Sequence, residues 1–186
     1  MSSFYFWHWR ICVLMRLNKG AFAECNSIST IEGCENIENV GNGAFRGLEK
    51  INSINISKKV INIGDGAFYG CTELKKVIWN SEDCINAGIS TAPIFGGCNK
   101  LETIVIGDNV KTIPSFAFYN CSGLVNVTIG TNIMVIEEWA FSGCNKLNNI
   151  SFNGTIEQWN NIKKGKYYLY DVPASQIVCS DGNIEL

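Results

Sequence analysis

The chain has one histidine in 186 residues, His8, close to the amino end. A Ser-His-Asp or Cys-His arrangement therefore cannot be built in the body of the chain, which removes the common hydrolase solutions. Neither Cys-x-x-Cys nor His-x-x-x-His occurs, so the close ligand pairs that zinc requires are missing and no metal site is expected. Charge is scarce as well: 17% of residues are charged and the formal balance is −2. That leaves no basic stripe for nucleic acid and no acidic tail for a cationic partner. No run approaches the ~18 apolar residues of a membrane span, so membrane insertion is not expected. The start, "MSSFYFWHWRICVLM", is apolar and aromatic, but His8 and Arg10 interrupt it. No small-residue cleavage site follows, and it reads as an atypical first segment better than as an export signal. Carboxylates adjoin at Glu137 and Glu138 and at Glu82 and Asp83, yet no spacing suggests a buried acid/base pair. No catalytic residue and no cofactor is expected.

What the chain does have is a repeat. Phe22, Phe45, Phe68, Phe95, Phe118 and Phe141 are separated by 23, 23, 27, 23 and 23 positions, a period that signals a solenoid or array. Three residues after each Phe stands Cys25, Leu48, Cys71, Cys98, Cys121 or Cys144, and three further on Ile28, Ile51, Leu74, Leu101, Leu124 or Leu147. Pairs such as Ile54 and Ile56, Val77 and Trp79, or Ile104 and Ile106 follow with period two, as in a strand with one buried face. A second apolar pair, Val60 with Ile63 or Val110 with Ile113, leads back to the next Phe. Each unit is thus one coil: a short strand, a bend, a second extended piece and a tight helical turn around Ala-Phe. A single coil cannot bury its own apolar side chains, but stacked coils share a core. The 27-residue unit carries its extra residues in "SEDCINAGISTAPIF", which is expected to bulge outward as a loop.

The stretch "IGDGAFYGC" suggests a phosphate-cradling loop, and the repeat decides against it. A dinucleotide loop needs glycines at fixed offsets between a strand and a full helix. The first glycine position reads Asn18, Gly41, Gly64, Pro114 and Glu137 in the regular units; the second reads Gly20, Gly43, Gly66, Phe116 and Trp139. Glu and Trp have no place in such a cradle. Five of the nine cysteines share one repeat position, where parallel projection gives poor disulfide geometry, and Leu48 marks the slot as small and apolar. They are expected to be buried thiols. Cys12, Cys34, Cys84 and Cys179 lie outside this ladder. The sequons at Asn55, Asn120, Asn126, Asn149 and Asn153 are what an Asn-rich chain yields by chance, and they matter only in a glycosylating pathway.

The pattern "IGDGAFYGCTELKKV", followed by "GCNKLETIVIGDNVKTIPSFAFYNCSGLVNVTIG", resembles the BspA-like, or Treponema-type, leucine-rich repeat. The resemblance implies a leucine-rich-repeat solenoid, α/β or mainly β, with a parallel sheet on the concave face and short turns or 3₁₀ pieces opposite. Residues 1–16 are then an atypical amino-terminal segment or partial first coil, 17–159 a solenoid of about six coils, and 160–186 a closing segment. On such a coil the residues between the apolar strand positions face outward. They are Thr30, Glu32, Ser53, Asn55, Lys76, Ile78, Thr103, Val105, Asn126, Thr128, Asn149 and Ser151, a polar, nearly uncharged face with an apolar patch at Ile78 and Val105. The resemblance implies non-catalytic binding or adhesion to a protein or glycan on a cell surface or matrix. It places the chain outside the cell, with a cytoplasmic location as the alternative because the start makes a poor signal. A rigid spacer within a longer surface protein and an intracellular interaction scaffold are the competing functions.

Overall fold

The computed structural model describes residues 16–31, 34–82, 84 and 86–186. His8 and Cys12 lie outside them. The repeat closes into a β-solenoid, each coil from that of Phe45 onward contributing one rung to a common sheet. Four-residue strands at Ser53–Ile56, Lys76–Trp79, Thr103–Ile106, Asn126–Ile129 and Asn149–Phe152 pair in parallel, with each outward residue beside its equivalent one coil away. The alternation read from the sequence is realised: Ile54, Ile56, Val77, Trp79, Ile104 and Ile106 are buried while the residues between them are not. Gln176–Cys179 adds a further parallel strand, and Gly182–Glu185 folds back against it in antiparallel sense. That last strand closes the sheet with a hairpin.

The phenylalanines form a continuous stack through the core. Successive rings from Phe22 to Phe141 lie 5.1 to 5.9 Å apart with interplanar angles of 6° to 16°. Stacked pairs of this kind contribute about 0.5–1.5 kcal/mol each beyond the area they bury. Backbone bonds fix the spacing, because the amides of Phe22, Phe45, Phe68 and Phe118 donate one coil onward, from Phe45 to Ala67 at 2.8 Å and from Phe118 to Ala140 at 2.9 Å. The amide of Phe141 donates to Tyr168 at 2.9 Å in the same way. Leu169 therefore takes the anchor position of a seventh coil, packed against the core without an aromatic ring.

The corners are turns, not the helical turns that Ala-Phe suggested. Two residues of each corner hold positive φ, except at Phe95, where Pro93 takes the first position and Gly97 alone is left-handed, and this breaks helical continuity. Two before the anchor these are Gly20, Gly43, Gly66, Phe116, Trp139 and Tyr167, at +57° to +63°. Two after it they are Glu24, Gly47, Gly70, Gly97, Asn120, Gly143 and Asp171, at +56° to +76°. A 3₁₀ piece forms at Cys34–Asn36, in a bend. Gly64 has a separate role: a Cβ there would stand 2.5 Å from the backbone nitrogen of Asn42 in the preceding coil.

The insertion is a hairpin where a loop was expected. Asn86–Ile89 extends the ladder of two-residue strands Arg16–Leu17, Asn39–Val40 and Asn62–Ile63, then turns back against Ala92–Pro93. The ladder stops there, and another begins with Thr112–Ile113, Val135–Ile136 and Lys163–Lys164. In the bend after the fifth of the long strands a short helix forms, Ile156–Asn161. Thr155 and Gln158 cap it reciprocally, and it buries Trp159 edge-on against Phe152 at 5.3 Å.

Candidate ligand-binding face

The residues singled out from the sequence sit where the strand period puts them. Ser53, Lys76, Thr103, Asn126 and Asn149 form one outward column, and Asn55, Ile78, Val105, Thr128 and Ser151 the other, each next to its equivalent on the neighbouring strand. Thr30 is exposed but lies outside any strand, and Glu32 falls outside the described residues.

The face is largely satisfied by itself. The Asn149 amide donates to Asn126 Oδ1 at 2.8 Å, the Ser151 hydroxyl to Thr128 Oγ1 at 3.2 Å, and the Asn80 amide to Asn55 Oδ1 at 3.0 Å. Lys76 carries the one charge among the described members of the two columns. Ile78 and Val105 are register partners and half-buried, forming an apolar centre between exposed Ser53 and Asn55 on one side and the Asn and Ser/Thr ladders on the other.

Sequence reasoning missed two members of this face. Gln176 and Val178 continue the columns past Asn149 and Ser151, with Val178 registered on Ser151 and 45% exposed. The Asn183 amide donates to Gln176 Oε1 at 3.0 Å from the closing strand. Leu in place of the anchor Phe hid this coil, although the alternation of Ile177 and Cys179 with Gln176 and Val178 was a legible strand signal.

The thiols of the repeat ladder have no reactive setting. Cys71, Cys98, Cys121 and Cys144 are buried and free, and Cys25, also free, is half-buried. The thiols of Cys71, Cys98 and Cys144 donate to the carbonyls of Phe45, Phe68 and Phe118, one coil back, at 3.3, 3.1 and 3.2 Å. A cysteine at this position thus fills a small apolar slot and caps the anchor carbonyl. The neighbouring Cys71 thiol, then burial, pushes Cys98 up; Cys144 and burial do the same to Cys121. Both stay protonated, which is the opposite of what a nucleophile needs. Cys84 and Cys179 are buried thiols as well.

A surface groove of about 580 Å³ runs beside the bends, bordered by Glu82, Lys111, Thr131, Met134 and Asn161. Lys111 Nζ lies 2.8 Å from Glu82 and holds that carboxyl below its ordinary range, chiefly through the hydrogen bond. Both partners are about half exposed, so the pair adds little stability. Among the described residues no three His, Cys, Asp or Glu side chains converge as a metal site. Nor is any described helix long and apolar enough to cross a membrane.

The chain matches a family model described as BspA type leucine rich repeat region, in six copies over residues 13–91 and 85–168. No curated protein matches it. A solved leucine-rich repeat protein from Eubacterium ventriosum is similar in fold, with a TM-score of 0.64 at 20% identity. The match covers 86% of this chain and 43% of that one. Another, from Bacteroides ovatus, gives a TM-score of 0.57 at 21% identity over 84% of this chain and 44% of that one. The chain therefore spans less than half the length of either structure.

Proposed function

Since the chain belongs to the BspA-type leucine-rich repeat family, we propose that it is a non-catalytic binding module that docks a protein ligand on the outward face of its long sheet, at a cell surface. The observation that carries this reading is the in-register pairing of Ile78 with Val105 amid self-bonded Asn and Ser/Thr ladders. Side chains already held by their neighbours lose little freedom on binding, and an apolar centre ringed by polar groups is the arrangement that concentrates binding energy. Ser53, Lys76, Thr103, Thr128 and Asn149 form the rim of that surface.

The test replaces Ile78 with Lys and Val105 with Glu together, so that the new charges face one another across the sheet and leave it paired. Saturable binding of the labelled chain to epithelial and bacterial cell surfaces is expected to disappear in the variant, with the urea midpoint nearly unchanged. Stripping surface proteins with protease is expected to remove the wild-type signal. Undiminished binding by the variant would move the site off this face. No saturable binding by the wild type would favour the spacer role.

A further inference from the structure

One corner of the solenoid carries aromatic rings that the core does not use. At the position two before the anchor, the early coils have Gly20, Gly43 and Gly66, while the late coils have Phe116, Trp139 and Tyr167 at φ of +57°, +59° and +58°. Bulky side chains rarely adopt this conformation, and such residues gather where a ligand is held. The core does not explain them: the anchors Phe118 and Phe141 fill it two residues further along, Phe116, Tyr119 and Trp139 are half-buried without joining it, and Tyr167 and Tyr170 are 54% and 59% exposed. The rings order one another instead. Trp139 lies 4.6 Å from Tyr167, Tyr170 stands edge-on to Tyr167 at 5.8 Å, and Phe116 meets Tyr119 edge-on at 5.6 Å.

We propose that this corner binds an extended chain of neutral pyranose sugars, laid along the solenoid axis, through Phe116, Tyr119, Trp139, Tyr167 and Tyr170. Aromatic faces carry negative charge density and attract the C–H face of a sugar ring. The hydroxyls of Tyr119, Tyr167 and Tyr170 make no hydrogen bond with the described residues, which leaves them for sugar hydroxyls. Exposed Glu138, Lys166 and Asp171 lie among the rings in sequence. Charges so placed are depleted from the dry centre of a protein interface, whereas a hydrated sugar accepts them, and their mixed signs favour a neutral ligand. Coils repeat at the strand spacing of about 4.8 Å, close to the length of one sugar unit, so a polymer can meet successive corners. This site is separate from the sheet face and does not depend on its reading.

The experiment titrates the whole chain with cellohexaose and with laminarihexaose, following heat and tryptophan fluorescence, with an anionic alginate hexamer as control. At least one neutral hexasaccharide is expected to bind at least tenfold more tightly than alginate. The double variant Trp139→Gly with Tyr167→Gly restores the residue of the early coils. It is expected to lose at least tenfold in affinity while keeping its circular dichroism and urea midpoint. Tyr170→Ser, which copies Ser142 of the preceding coil, is a second variant without positive φ at stake and is expected to weaken binding at least threefold. Failure of both neutral hexasaccharides to bind overturns the proposal, as does equal or tighter binding of alginate, or wild-type affinity in both variants. Self-association in sedimentation that the variants abolish overturns it too, by making the corner a contact between copies.

Discussion

Replacing Phe118 with Ala tests whether the ring stack is the spine of the fold. Phe118 is 1% exposed and touches three rings: Phe95 at 5.9 Å, Phe141 at 5.2 Å and, edge-on, Trp79 at 5.5 Å. Truncating a buried Phe costs about 3–5 kcal/mol, and more when the site cannot collapse. Here collapse is blocked, because the amide of Phe118 is bonded to Ala140 and the strands on both sides are locked in register. Losing three aromatic contacts, each worth about 0.5–1.5 kcal/mol beyond burial, places the expected cost near 5 kcal/mol. For a chain of this size that lowers Tm by roughly 10–20 °C. Phe22 is the internal control: it is half-buried with one stacked partner, Phe45 at 5.7 Å, so Phe22→Ala is expected to cost about 1–2 kcal/mol. Urea titrations followed by circular dichroism and tryptophan fluorescence would measure both. A cost below about 1 kcal/mol for Phe118→Ala, or equal costs for the two variants, would refute the buried-spine assignment.

Two glycines of "IGDGAFYGC" are expected to separate in the same assay. Gly66→Ala meets nothing closer than 3.4 Å and is strained only by its φ of +57°, so it should cost about 1–2 kcal/mol. Gly64→Ala drives its Cβ into the backbone of Asn42 and is expected to cost clearly more, with coil stacking disturbed. For pH, the raised thiols of Cys98 and Cys121 stay protonated in the fold, while in the unfolded chain they titrate near their ordinary value of 9.0. Stability they contribute is therefore complete below pH 9 and falls above it, by about 1.4 kcal/mol per thiol for each pH unit. A Tm flat from pH 6 to 8 and declining beyond 9 is the expected profile. A Tm that rose above pH 9 would contradict the burial of these thiols.

Much of this was legible in the sequence because a solenoid repeats its physics at short range. The spacing of the Phe anchors predicted coils stacked on a common core, the alternation of Ile54 with Ile56 and Val77 with Trp79 predicted the buried sheet face, and Leu48 among the cysteines predicted a slot that buries its side chain. In each case one coil's pattern is confirmed by the next, so no long-range contact had to be guessed. The outward columns followed from the same period, since a strand that buries alternate residues must turn the others out.

Tertiary structure alone decided the rest, where the outcome depends on neighbouring coils. The seventh coil is recognised by the Phe141 to Tyr168 hydrogen bond, which puts Leu169 at an anchor position with no ring to announce it. The insertion could pair as a hairpin because Asn62–Ile63 offered an edge to Asn86–Ile89. The glycine position that also reads Phe116 and Trp139 argued against a phosphate loop, but only φ shows that one left-handed corner is shared by glycine and aromatics alike. Sequence fixes which residues a coil must bury; which exposed rings and amides meet across coils is set by stacking, because those contacts join residues some two dozen positions apart.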